Sequence, residues 1–184
     1  MLARIRQGDE QAFDTLFRRF YAPLVGLGES LLKTRAVAEE IVQDVMLEVW
    51  RRRESIRLEE SWRAYLFRAT RNRALNELRH FGVEKRGEPW ARGAESADAT
   101  ALSGLVNAEL DAAVAEAVNA LPEPVREVFS LSRANGLKYS EIAQVLGISV
   151  KTVEARMSRA LKELRGRLAA WLPDAAEAGD TGDR

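Results

Sequence analysis

The sequence predicts an all-α protein: two small helical domains joined by a flexible linker. Apolar residues recur at three- and four-residue steps from Asp9 to Arg79 and again from about Val106 to Leu172, and strand-like alternation is nearly absent. Between His80 and Ser103 the chain turns to Gly, Ala, Glu, Ser and Pro, too polar and too broken to bury a face. A length of 184 residues suits two compact modules of modest core. The expected boundaries are 1–80 for the first domain, 81–105 for the linker, 106–172 for the second domain and 173–184 for a frayed polar tail.

Composition narrows the function. With 46% hydrophobic and 30% charged residues the chain has the apolar mass for real cores under a charged surface. Lys+Arg and Asp+Glu balance at 28 each, so nucleic-acid binding must come from local patches and not from net charge. There is no cysteine and one histidine, His80, which removes thiolate chemistry, disulfides, Cys/His metal sites and a Ser-His-Asp relay. No phosphate-binding glycine motif is present either. A protein that is not an enzyme, with no catalytic residues, metal or cofactor, is therefore expected. The first residues hold no apolar run of signal-peptide length, and no stretch approaches the ~20 apolar residues of a membrane span. A cytoplasmic protein without membrane insertion is the expectation.

Taken in chain order, Ala38 to Trp50 buries Ala38, Ile41, Val42, Val45 and Val49 at helical spacing. Its outer side is acidic: Glu40, Asp44 and Glu48 lie four apart, with Gln43 and an exposed Leu47 beside them, apt for docking on a basic helical partner. Next, Ser61 to Arg79 reads as one helix. Tyr65, Arg68, Asn72, Asn76 and Arg79 share one face, while Leu66, Phe67, Thr70, Ala74 and Leu78 lie opposite and Trp62 sits at the boundary. Aromatic, cationic and amide groups on one side of a rigid helix suit single-stranded nucleic acid; Trp62 and Phe67 equally suit a core, and the Arg/Asn stripe equally suits a solvated face.

In the second module Leu121-Pro-Glu-Pro-Val places prolines where a helix starts. Tyr139 to Leu161 then has the layout of a helix-turn-helix. Gly147 supplies the left-handed residue that ends the first helix, and the Ser149 hydroxyl caps the second. Val150, Val153, Met157, Leu161, Leu164 and Leu168 form the expected buried stripe. Lys151, Thr152, Glu154, Ala155, Arg156, Ser158, Arg159 and Lys162 face outward, where small residues permit close approach and cations meet phosphates or guanine edges. A charged outer face of this kind also occurs on surface helices of ordinary bundles.

In this order, over nearly the whole chain, these segments resemble the extracytoplasmic-function (group IV) RNA polymerase sigma factors. Ala38 to Trp50 resembles the region-two motif that docks on the clamp helices of the polymerase beta-prime subunit, with Glu40, Gln43, Asp44 and Trp50 matching it and Leu47 beside them. Ser61 to Asn72 resembles the segment that melts and reads the minus-10 element. The preceding loop, about Arg53 to Glu60 and including Arg57, is implied to receive a flipped base, with Ser61, Trp62, Tyr65, Arg68, Asn72, Asn76 and Arg79 on or beside the reading helix. The stretch from Leu121 and the helix-turn-helix resemble region four, which reads the minus-35 element. Glu154, Ala155, Ser158 and Arg159 fall at its base-facing positions, and Arg133, Tyr139, Thr152 and Arg156 at positions supporting the DNA backbone, with Lys151 also on the minus-35-binding face.

The resemblance implies core polymerase (beta-prime and beta subunits), promoter DNA and an anti-sigma factor as partners, and binding without covalent chemistry as the mechanism. Two positions depart from the family pattern: Asn76 stands where Asp is frequent, and Lys138 where a Ser or Thr cap often begins the helix-turn-helix. Two other classes fit part of the chain. A response-regulator output protein shares the C-terminal motif but needs an α/β N-terminal half, and residues 1–80 show no apolar strands. A helical adaptor would carry both basic faces as solvated surface.

Overall fold

A computed structural model describes residues 1–58, 61–84 and 105–171. Every regular element among them is helical: α1 (Leu2–Arg6), α2 (Glu10–Leu32), α3 (Arg35–Arg51), α4 (Trp62–Glu84), α5 (Leu105–Asn119), α6 (Glu123–Arg133), α7 (Tyr139–Leu146), α8 (Val150–Arg167) and a closing 3-10 turn (Ala169–Trp171). Most of the expected linker and the whole expected tail lie outside the described residues. Where the linker was expected to begin, α4 instead continues to Glu84. Gly82 is the only strong breaker between His80 and Glu84, and a helix interior tolerates one glycine at a cost of about 1 kcal/mol.

Helices α1 to α4 form the first module. The Asp9 carboxylate caps α2 by accepting from the Ala12 N–H at 2.9 Å, and that bond, with the Arg4 guanidinium at 2.7 Å, holds the Asp9 carboxyl below its ordinary pKa. Down α2, Ala12, Leu16, Phe20, Leu24 and Leu27 follow three- and four-residue steps into the core. Pro23 lies inside this helix without ending it: it sits on the solvent side, where the carbonyl it leaves without an N–H partner can meet water. Lys33, in the left-handed region at φ 59°, ends α2.

Helix α3 buries Ala38, Ile41, Val42, Val45 and Val49 as its periodicity predicted, and Met46 besides. From α4 come Leu66, Phe67, Thr70 and Ala74, while Leu78 is only half-buried against the cluster. Helices α2 and α3 approach closely at Gly28, where a Cβ would stand 2.9 Å from the Ala38 Cβ.

Helices α5 to α8 form the second module. Pro122 caps α6 and Pro124 occupies its first turn, where a missing N–H costs nothing. The buried face of α8 differs from the expected stripe: Val153, Met157, Ala160 and Leu164 are buried, but Val150 and Leu161 are 42% and 40% exposed and Leu168 is half-buried. At 100° per residue the first four share one narrow face, whereas Val150, Leu161 and Leu168 fall 60–80° to its side, so apolar identity outweighed angle in the sequence reading.

The modules do not stand apart. Helix α4 packs on α7, and one apolar cluster runs from Ile5 through Phe67 and Ala74 to Leu131, Ile142, Val145 and Met157. A smaller cluster of Ala117, Leu121, Val125, Ala160 and Leu164 ties α5, α6 and α8 together.

Gly28→Leu forces α2 and α3 apart and should cost about 1–3 kcal/mol of stability, read as a lower urea midpoint. An unchanged midpoint would mean that the close approach does not limit packing.

Candidate polymerase and promoter surfaces

Because α3 buries six positions of one face, its remaining positions are forced outward. Glu40, Gln43, Asp44 and Leu47 are exposed, Leu47 at 48%, and Trp50 is half-buried. Between α2 and α3 lies an apolar groove of about 420 Å³, lined by Glu10, Phe13, Phe17, Gln43, Met46, Leu47 and Trp50. The Trp50 ring is tilted on Phe13 at 5.0 Å between centroids, and the Arg53 guanidinium covers it at 4.7 Å. The sequence reading found the α3 half of this surface and missed Phe13 and Phe17. Their four-residue spacing was the available signal, but half-buried aromatics at that spacing look the same as core residues until a neighbouring helix is placed beside them. Asp44 also pairs with Arg73 of α4 at 3.2 Å, so the acidic stripe is partly neutralised from within the module.

Along α4, Arg68, Asn72, Asn76 and Arg79 are exposed on one face and Tyr65 is half-buried on it. Trp62 meets Tyr65 edge-on at 6.1 Å. Arg79 donates to the Asn76 amide oxygen at 2.8 Å, while Arg68 and Asn72 make no side-chain hydrogen bond among the described residues. Arg57 is exposed in the loop before α4. Ser61 is drawn away from this stripe: its hydroxyl accepts from the Ala64 N–H at 3.1 Å and donates to Glu141 of α7 at 2.5 Å.

In the second module Gly147 takes φ 66° and closes α7. The Ser149 oxygen accepts from the Thr152 N–H at 3.1 Å, with the two hydroxyls 2.8 Å apart. The turn and cap thus behave as the sequence indicated, and they start α8 with its Val153, Met157 and Ala160 side in the core and its opposite side outward. Lys151, Glu154, Ala155, Ser158 and Arg159 are exposed on it, Thr152 and Arg156 are half-buried, and Arg133 and Tyr139 are exposed at the ends of α6 and α7. Arg159 is not idle: its guanidinium donates to Glu163, one turn on, at 2.7 Å. Lys138 has no acceptor with which to cap α7. That end is held by Glu141 reaching back to the Lys138 N–H at 3.0 Å.

Residues 16–81 match the sigma-70 region 2 family and residues 111–164 match the sigma-70 region 4 family. The sigma factor CnrH of Cupriavidus metallidurans is 30% identical over 176 residues, spanning 91% of this chain and 92% of its own length. The chain belongs to the extracytoplasmic-function sigma factors. It directs RNA polymerase core to promoters and initiates transcription there. The sigma-E factor of Haemophilus influenzae is 27% identical over 91% of this chain and 93% of its own. Among solved structures, CnrH in complex with the cytosolic domain of CnrY superposes with a TM-score of 0.63 at 27% identity, covering 92% of this sigma factor and 95% of that chain. RpoE of Bartonella quintana in complex with the anti-sigma factor NepR gives 0.67 at 25% identity, over 86% and 98%. No described helix of this sigma factor is long and apolar enough to cross a membrane.

Gly147→Val places a β-branched side chain at positive φ and should cost about 1–2 kcal/mol, read as a lower melting temperature by circular dichroism. An unaltered melting temperature would show that the turn does not depend on the left-handed residue.

Proposed function

We propose that three surfaces divide the work of this sigma factor. The α2–α3 groove with Glu40, Gln43, Asp44, Leu47 and Trp50 docks core polymerase. The α4 face, with Arg57, Ser61, Trp62, Tyr65, Arg68, Asn72, Asn76 and Arg79, captures the unwound minus-10 strand. The outer face of α8 (Lys151, Thr152, Glu154, Ala155, Arg156, Ser158, Arg159), with Arg133 and Tyr139, holds the minus-35 duplex. The domain limits 1–80 and 106–172, joined by 81–105, belong to the same proposal, and so does work in the cytoplasm by binding alone, without covalent chemistry.

The observation that carries it is adjacency within one module. A groove with an exposed leucine and an acidic rim stands beside a helix whose outer face offers cations, amides and a ring. Unstacking a base costs a few kcal/mol, which a free protein of balanced charge cannot offset by phosphate attraction alone. Polymerase contacts through the first surface supply what strand capture through the second lacks, so DNA binding by the free protein is weak.

An anti-sigma factor holds this chain inactive by covering the same surfaces. The complexes of CnrH with CnrY and of RpoE with NepR support that reading, as does an apolar groove of a size to seat side chains from an amphipathic helix.

Run-off transcription with purified core polymerase on a promoter library tests the assignment. Leu47→Asp separates the polymerase face more cleanly than a change at Asp44, which Arg73 already engages. Leu47→Asp should abolish discrete starts and core binding while leaving the fold intact. Arg159→Glu should remove minus-35-dependent starts, a loss of about thirtyfold for about 2 kcal/mol of discrimination, with core binding retained. Starts unaffected by either change would refute the surface assignment.

A further inference from the structure

Ile56 comes just before Arg57 in the loop between α3 and α4, and it is held by side chain, N–H and carbonyl alike. The side chain is buried in the core. The N–H donates to the Arg52 carbonyl at 3.1 Å, closing a turn that Ser55 joins through its own N–H at 2.9 Å and its hydroxyl at 3.0 Å. The carbonyl accepts from the Arg6 guanidinium of α1, a contact across 50 positions of sequence. Arg57 itself is exposed.

A trans peptide is planar, so the Ile56 carbonyl and the Arg57 N–H share one plane and point opposite ways. Fixing the direction of that carbonyl therefore fixes the bond on which Arg57 leaves the loop. A guanidinium is suited to the task, because it stays charged and presents its donors in a rigid fork.

Arg6 can serve as a fixed point because α1 is itself anchored. A helix of five residues does not stand alone in water. This one is held by Ile5, which is fully buried, and by Arg4, which pairs with the Asp9 cap of α2 at 2.7 Å. Gly8, at φ 81°, makes the turn between α1 and α2 and lies against Arg53, so that a Cβ there would stand 3.9 Å from the Arg53 Nε. Arg53 is tied in turn to the end of α3: its Nη1 donates to the Trp50 carbonyl at 2.9 Å, and its guanidinium covers the Trp50 ring. The α1–α2 turn thus meets the loop twice, at Arg53 and at Ile56. Arg6 is exposed and fills no core space, so its bond to Ile56 is what it adds.

We propose that Arg6 is a positioning residue for minus-10 recognition. Acting through the Ile56 carbonyl, it sets the direction in which Arg57 is presented, and so takes part in choosing the base that the loop accepts. The role in base choice rests on the assignment of Arg57 to the minus-10 face given above; the hold of Arg6 on the loop does not.

Run-off transcription with core polymerase, on templates varied one base at a time through the minus-10 element, tests the role. The quantity read is the ratio of starts between the preferred base and the next at each position. Arg57→Ala should lower that ratio at one or more positions. Arg6→Ala should lower it at the same positions by about three- to tenfold, the net worth of one hydrogen bond. Arg6→Lys, which keeps a donor, should restore most of it. In the Arg57→Ala background, adding Arg6→Ala should change the ratio no further, because Arg6 acts through Arg57. In the free protein, Arg6→Ala should speed amide hydrogen exchange at Ser55 and Ile56.

Unchanged exchange at Ser55 and Ile56 would overturn the hold on the loop, whatever happens at promoters. Base ratios unchanged in Arg6→Ala but altered in Arg57→Ala would overturn the positioning role. So would a fall in starts on every template alike, which lost stability alone would give. Ratios untouched by Arg57→Ala would refute the minus-10 assignment of the loop, and the role in base choice with it.

Discussion

Helix α4 meets three environments along one cylinder, and the rest of the molecule is arranged around that fact. Leu66, Phe67, Thr70 and Ala74 fill the core formed with α2 and α3. Arg63 and Arg71 turn toward the second module. Arg68, Asn72, Asn76 and Arg79 are left to solvent. A helix offers about 3.6 directions per turn, so each direction given to packing is lost to binding. Thr70 shows how tight the partition is. Its hydroxyl is wholly buried and unpartnered among the described residues, an uncompensated cost that a valine of the same shape would avoid.

Charge follows the same logic of local allotment. The chain is neutral overall, yet α4 and α8 are rich in cations, several of which are restrained by acceptors nearby: Arg73 by the Asp44 carboxylate, Arg79 by the Asn76 amide oxygen, Arg159 by the Glu163 carboxylate. Exposed pairs of this kind are worth only ~0.2–1 kcal/mol and yield to salt or to a better partner. They pre-position guanidinium groups without committing them. Glu154, an exposed acid among the α8 residues proposed to hold the minus-35 duplex, would repel phosphate and offer an acceptor to a cytosine amino group.

What the sequence made legible was whatever a single helix determines. The buried face of α3, the opposition of Leu66/Phe67/Thr70/Ala74 to the Arg/Asn stripe, the left-handed turn at Gly147 and the Ser149 cap are all fixed by local periodicity or backbone chemistry, and they appear as read. What required two helices was not legible. Phe13 and Phe17 become groove walls only once α2 lies beside α3. Pro23 is harmless only because its position faces water. The misread stripe of α8 has the opposite origin: Val150 and Leu161 look apolar enough to bury, and only the angular position of Ala160, a residue easily passed over, shows where the core lies.

Lys138 and Glu141 connect the departure in the sequence to the seam in the structure. A Ser or Thr at position 138 would cap α7 by itself, accepting from the backbone within the helix-turn-helix. A lysine cannot accept, so the side chain that serves that end is that of Glu141. Its second oxygen would then be a buried acceptor without a partner, at a cost of about 1–3 kcal/mol, were it not for Ser61 of the other module. Separating the modules returns that oxygen, the Arg71–Glu127 pair and the Arg63 guanidinium to water together. All of them are groups that water solvates well, so these polar contacts set the register in which the modules pack while adding little to its strength. The strength of that packing must therefore come mainly from the apolar cluster beneath, and its specificity from the three polar contacts above it.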